Sequence, residues 1–181
     1  MNRKIIAVLF AATLVMSVAA IGMAVAKTTT LKIEFDLEGW CDTYDPATGE
    51  WTSVPASAVL TGNIRDKDGT QYLSPQTGTI TIDGVEHQIQ VKQPKQSEPV
   101  MYYEYEWGTP GAEYYKYQEW YKIVEVNIEG DKYIGWLSWG KYHYEYYGEV
   151  WDYEYSYLSF QGIADGKMAN CWLYGDFPEI G

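Results

Sequence analysis

The chain has 181 residues, 25 acidic against 13 basic, and a formal net charge of −12. Its aromatic content is weighted to tyrosine: 18 Tyr and 8 Trp stand beside only 4 Phe. So acidic a chain is a poor partner for nucleic acid or for an anionic lipid surface, whose phosphates it would repel; cations, basic proteins and neutral glycans stay open.

The N-terminus carries Arg3 and Lys4, and residues Ile5 to Ala26 are then apolar or small apart from Thr13 and Ser17. The run ends in Ala24-Val25-Ala26. This order predicts a secretory signal peptide over residues 1–26, cleaved after Ala26. The apolar run is also long enough to remain as an N-terminal membrane anchor. Either outcome places the rest of the chain outside the cytoplasm, extracellular or in the cell envelope. No later segment is apolar enough to span a bilayer, so no transmembrane segment is expected in the mature chain. Removing Arg3 and Lys4 leaves 11 basic against 25 acidic residues, a net charge of −14. Residues 27–181 are expected to form a single all-β domain, enough chain for one sizeable core.

Along that domain the hydrophobic period is two, not 3.6. Leu31, Ile33, Phe35 and Leu37 alternate with Lys32, Glu34, Asp36 and Glu38, the pattern of a half-buried strand. Cys41 follows, and its one possible partner is Cys171. In an exported chain the pair predicts a disulfide, worth roughly 4–5 kcal/mol in the chain-entropy model for so long a loop. It would make the first and last strands of the domain neighbours. Tyr44-Asp45-Pro46-Ala47-Thr48-Gly49-Glu50-Trp51 resembles the turn of a kelch repeat. No second copy follows at a period of about 50 residues, and the segment is read as a local turn. Asp66-Lys67-Asp68-Gly69 has the opening of a calcium loop without its later ligands, and is read the same way.

Ile80–Ile82 and Val85–Val91 alternate on either side of Asp83-Gly84, the strongest hairpin signal in the chain. Lys92–Pro99 is a linker-like stretch, read as a long loop rather than a domain boundary. Trp120, Lys122, Val124, Val126 and Ile128 form one strand face, and Tyr133–Trp139 another strand. Asp165-Gly166 separates two final runs, Leu158–Ile163 and Met168–Tyr174. The whole predicts an antiparallel meander of about nine or ten strands, closed as a barrel or packed as a two-sheet sandwich.

Within this frame the segment Lys141–Tyr157, KYHYEYYGEVWDYEYSY, is unusual: it holds seven tyrosines and a tryptophan. Tyr142, Tyr144 and Tyr146 share one parity, Lys141, His143 and Glu145 the other. Trp151, Tyr153, Tyr155 and Tyr157 alternate with Asp152, Glu154 and Ser156; Tyr103, Tyr105 and Trp107 alternate with Glu104 and Glu106. Burying the carboxylates would cost far more than burying the rings, so the tyrosines are expected to be the more buried set, as core or as the wall of a groove. On the other parity, Glu104, Glu106, Glu145, Asp152 and Glu154 would repel one another if their strands were adjacent.

Phenol rings with hydroxyls to satisfy suit a surface that holds sugars. The candidate ligand-binding residues are Tyr103, Tyr105, Trp107, Trp139, Tyr142, Tyr144, Trp151, Tyr153 and Tyr155. Neither a metal site nor a cofactor is expected: there are two histidines, His87 and His143, and no phosphate loop, Cys-x-x-Cys or Gly-x-Ser-x-Gly motif. Glu113-Tyr114-Tyr115 resembles the segment around the nucleophile of small jelly-roll xylanases. That resemblance implies a second catalytic glutamate near the C-terminus, where the residues from Phe160 onward offer only Glu179. The leading expectation is a non-catalytic binding module for a glycan or envelope component. A purely structural envelope protein is the alternative, and a small glycoside hydrolase the third reading.

Overall fold

The computed structural model describes residues 28–94, 98–164 and 167–181. The expected export segment, residues 1–26, and the Asp165-Gly166 turn lie outside the described residues. Eleven strands are present: β1 (Thr28–Asp45), β2 (Glu50–Lys67), β3 (Thr70–Leu73), β4 (Gln76–Ile82), β5 (Val85–Lys92), β6 (Met101–Gly108), β7 (Glu113–Ile128), β8 (Asp131–Tyr146), β9 (Glu149–Ala164), β10 (Lys167–Gly175) and β11 (Glu179–Ile180). The described residues contain no helix, and so none that could cross a membrane.

All pairings are antiparallel. Eight strands form a ring in the order β1-β10-β9-β8-β7-β5-β4-β2, and β2 returns to β1 to close it. One sheet is therefore hydrogen-bonded all the way round, and no edge is left within the ring. β3, β6 and β11 are spurs on β2, β7 and β1.

The turns follow from local chemistry. Asp83-Gly84, Glu129-Gly130 and Tyr147-Gly148 each place two consecutive residues at positive φ, the geometry that matches the twist of a two-residue hairpin. In the turn of the kelch-like segment, the Asp45 side chain accepts from the Ala47 amide at 2.9 Å and its carbonyl accepts from Gly49 at 2.8 Å. In Asp66–Gly69 the Asp66 carboxylate likewise accepts from the Gly69 amide, at 2.9 Å. Both segments serve as turns.

Alternation builds the core. Ile33, Phe35, Leu37 and Cys41 of β1 point into the ring, with Ala58 and Leu60 of β2, Ile80 of β4 and Val91 of β5. Val124 and Val126 of β7, Leu137 and Trp139 of β8, Leu158 and Phe160 of β9, and Leu173 of β10 join them. The Phe35 and Trp139 rings meet edge to face at 5.6 Å. This core is aliphatic with a few large rings, and the tyrosine runs are not part of it. Cys41 and Cys171 are direct partners across β1 and β10 and form the expected disulfide, buried inside the ring. Their Cα atoms lie 4.0 Å apart, slightly under the usual range of about 4.4–6.8 Å.

β7, β8 and β9 are too long for the ring. β5 pairs only with residues 125–128 of β7, and β10 only with residues 156–164 of β9. Beyond those limits β7, β8 and β9 pair with one another, and β6 adds along the outer edge of β7. The result is a four-stranded sheet that extends from the ring.

Candidate functional site

Register decides which side chains share a face of the extension, because directly paired residues on antiparallel strands point the same way. Tyr103, Tyr105 and Trp107 pair with Glu119, Tyr117 and Tyr115. Tyr115 and Tyr117 pair with Tyr144 and Tyr142, which in turn pair with Trp151 and Tyr153; Tyr155 faces Gly140, and Tyr146 faces Glu149. Eleven rings thus share one face: three on β6, two on β7, three on β8 and three on β9.

The rings touch in order. Tyr144 stacks on Tyr142 at 6.5 Å, on Tyr146 at 6.3 Å and on Trp151 at 5.5 Å. Tyr115 meets Tyr142 edge-on at 5.0 Å, and Tyr103 and Tyr105 tilt onto Tyr117 and Tyr115. Gly140 makes room at the centre. A Cβ there would lie 2.7–2.8 Å from the ring and hydroxyl of Tyr155. The Tyr155 hydroxyl is 2.6 Å from that of Tyr117. Partial burial, and then this bond, hold the Tyr155 hydroxyl far above the ordinary tyrosine range, so it stays protonated. Burial also raises Tyr117.

The aromatic face continues the outside of the ring, not its core. On β8 the inward parity runs Tyr133, Leu137, Trp139 and then Lys141, His143 and Glu145; the outward parity runs Trp136, Ser138, Gly140 and then Tyr142 and Tyr144. The expectation that the tyrosines would be clearly more buried than their charged neighbours is therefore corrected. On β8, Tyr142 and Tyr144 are half-buried like His143 and Glu145, and Tyr146 is exposed; on β9, Tyr155 and Tyr157 are half-buried beside exposed Asp152 and Glu154, but Tyr153 is 62% exposed, so the two sets are not separated. The parities were read correctly. Among the described residues no facing sheet packs on the extension, and only its base is covered, where the Phe177 ring lies against Trp120 and 4.2 Å from the Lys141 ammonium, so the burial argument had little to act on.

Eight of the nine candidate residues lie on this face: Tyr103, Tyr105, Trp107, Tyr142, Tyr144, Trp151, Tyr153 and Tyr155. Trp139 does not. It has the other parity and is 1% exposed in the core. The sequence reading missed Tyr115, Tyr117 and Tyr146, which complete the platform. Tyr146 was assigned to the right parity but left out of the site. Tyr115 and Tyr117 were masked by the Tyr114-Tyr115 doublet and the mixed run that follows.

At the base of the platform the face hollows into an open concavity of about 420 Å³. Trp136, Tyr153, Tyr155, Tyr157 and Tyr174 supply its apolar surface; Glu119 and Ser138 supply polar groups. Aromatic walls with a few polar groups are the composition of a small-molecule or sugar site.

The charged face is arranged to avoid the feared repulsion. Glu106, Lys116, His143 and Asp152 form one cross-strand row, and Glu104, Gln118, Lys141 and Glu154 the next. The carboxylates of β6 and β9 are thus separated by basic or amide side chains. Lys116 bonds Glu104 at 2.8 Å, and Lys141 pairs with Glu154. These partners raise Lys116 and lower Glu104. His143 lies between two carboxylates, Nδ1 at 2.7 Å from Asp152 and Nε2 at 3.0 Å from Glu145. Both bonds favour the imidazolium and raise its pKa, the Glu145 contact most. Glu145 is lowered, first by the Gly111 amide it accepts from and then by His143. With both ring nitrogens engaged, this is an ion-pair lattice. Among the described residues no group of three or more His, Cys, Asp or Glu is arranged to hold a metal.

No family model, no curated protein and no solved structure matches this chain.

Proposed function

We propose that this chain is a non-catalytic binding module which lays a glycan on the aromatic face of β6–β9. The observation that carries this reading is the platform of eleven rings on a face that no other sheet covers among the described residues. A buried aromatic side chain removes about 150–250 Å² from water, at roughly 25 cal/mol per Å². Leaving Tyr103, Tyr105, Trp107, Trp151 and Tyr153 each more than 40% exposed forgoes much of that gain. An occupant would recover it.

Sugars fit the chemistry. Their C–H faces lie on rings, and their hydroxyls bond to phenol groups and to carboxylates such as Glu119. Binding of this kind needs no catalytic pair. The disulfide fits an oxidising compartment, and with the expected signal peptide it supports an extracellular or envelope location, where glycans are abundant.

The test is intrinsic tryptophan fluorescence during titration with a panel of soluble glycans. At least one glycan should give a saturable shift, and Trp151→Ala should weaken its affinity about tenfold, the equivalent of ~1.4 kcal/mol. Far-UV circular dichroism of the variant should be unchanged. A wild-type spectrum that no glycan perturbs would refute the reading.

A further inference from the structure

The aromatic surface does not stop at the extension. Tyr174 on β10, 54% exposed, lines the concavity at the base of the platform and also lines a second one, of about 680 Å³, on the outer wall of the ring. The second concavity is walled by Trp40, Pro55 and Tyr174, with Glu38, Ser57 and Thr81 as its polar groups. Tyr157 joins the two: its ring lies 4.9 Å from that of Tyr174.

Register explains the continuity. Tyr157, Tyr174, Glu38, Ser57 and Thr81 are successive partners across β9, β10, β1, β2 and β4. They form one row of outward side chains perpendicular to the strands. Four strand steps of about 4.8 Å make this row roughly 19 Å long. The core does not require it, because the inward positions of the same strands, Leu37, Cys41, Cys171 and Leu173, are filled and buried. A strand with one solvated face ordinarily presents polar residues there. Trp40, at 58% exposed, and Tyr174 depart from that pattern at the place where the wall is hollow.

We infer that the binding surface runs from the tyrosine platform over Tyr157 and Tyr174 into the concavity at Trp40, and that its ligand is an extended glycan polymer without acidic groups. The inference rests on the glycan reading above and adds a second site and a ligand class to it. Two open troughs joined in line suit a chain that passes through both; a single sugar or a chain end would occupy one of them. Charge sets the class. Glu38 projects into the wall concavity, and Glu34, Asp36, Asp176 and Glu179 line the neighbouring hollow that Tyr174 also borders. Uronate or sulfate groups would be repelled along this path.

The experiment is native-gel retardation of the full protein in hydroxyethyl cellulose, glucomannan and glycol chitin, with the matching disaccharides as competitors and carboxymethyl cellulose as the acidic counterpart. At least one neutral polymer should retard the wild type, its disaccharide should not compete, and carboxymethyl cellulose should bind more weakly than hydroxyethyl cellulose. Trp40→Ala and Tyr174→Ala should each weaken retardation about tenfold, as the loss of one stacking ring implies, while Tyr174→Phe retains it. All variants should keep the wild-type thermal transition, since these side chains lie outside the core. If Trp151→Ala abolishes retardation while Trp40→Ala and Tyr174→Ala leave it intact, the wall site is overturned and the glycan reading stands. If retardation depends on Trp40 and Tyr174 but not on Trp151, the wall site stands and the platform reading fails. Competition by disaccharide, or equal binding of the acidic polymer, overturns the ligand class. If no polymer retards the wild type, both readings fall; a ligand-free dimer lost in the same variants would then identify the face as a contact between copies.

Discussion

The ring and the extension share three long strands, yet they solve opposite problems. In the ring, β7, β8 and β9 have an inside. Val124, Val126, Leu137, Leu158 and Phe160 fill it, and burial supplies the stability. In the extension the same strands have two outsides. Cross-strand stacking holds one face and ion pairs hold the other, and each such pair contributes little, on the order of 0.2–1 kcal/mol. The change occurs on β8 between Trp139, buried against Phe35, and Gly140, which lies under the ring of Tyr155. A region that forgoes burial is costly to keep ordered. Its eleven rings are what the proposed binding role rests on.

The comparison breaks first if the two regions respond alike to truncation. Trp139→Ala should destabilise the protein by about 3–5 kcal/mol, as for a fully buried large ring, whereas Tyr153→Ala should stay within about 0.5 kcal/mol. Urea unfolding of both variants checks this; a costly Tyr153→Ala would mean that the platform is a second core. Next in size is the disulfide. The paired substitution Cys41→Ala/Cys171→Ala should cost about 2–5 kcal/mol, because it unclips β1 from β10 within the ring. The proposed glycan binding should survive it at temperatures where the variant stays folded.

Gly140→Ala probes the junction itself. The added methyl meets the Tyr155 ring and the Gln118 carbonyl within 2.7–2.8 Å, so it should cost about 1–3 kcal/mol. It should also separate the Tyr117 and Tyr155 hydroxyls, seen as a change in the Tyr155 ring resonances by NMR. Unchanged stability would show that the ring of Tyr155 is free to move.

The smallest effect is electrostatic and confined to the extension. His143 faces Asp152 and Glu145, with Lys116 as its partner on β7 and the Tyr114 ring 5.8 Å away. Its folded pKa is raised above the ordinary 6.5. A raised value means that the folded state holds the proton more tightly. The contribution is therefore complete below pH 6.5 and is lost as pH rises through the folded value. Proton NMR should place the His143 midpoint above 6.5, and Asp152→Asn should lower it. A midpoint at or below 6.5 would show that the carboxylates do not hold the ring. Core amides such as Leu137 should not follow this titration.

How much of this could be read in advance follows from the alternation. The period of two marked nearly every strand, and Asp83-Gly84 marked its hairpin without ambiguity. Two cysteines in a chain with an export-like N-terminus were enough to pair Cys41 with Cys171. The parity of each tyrosine in Lys141–Tyr157 was also legible, and with it eight of the eleven platform aromatics could be named. Trp139 was misplaced among them because its own strand carries aromatics on both parities, Tyr133 and Trp139 on one and Trp136 on the other. Tyr115 and Tyr117 were passed over because Lys116 and Gln118 sit in a segment where rings and charges mix.

Read alone, then, the chain specifies strands, turns, the disulfide and a division of each strand into two faces, because those depend on neighbours in sequence and on residue chemistry. Which face meets water depends on what lies opposite, and that is a property of strand order and length. An alternating pattern carries no sign. It separates tyrosine from carboxylate, but only the closure of β2 onto β1, and the overrun of β7, β8 and β9 beyond that closure, decides between core and surface and puts the aromatic face on the outside.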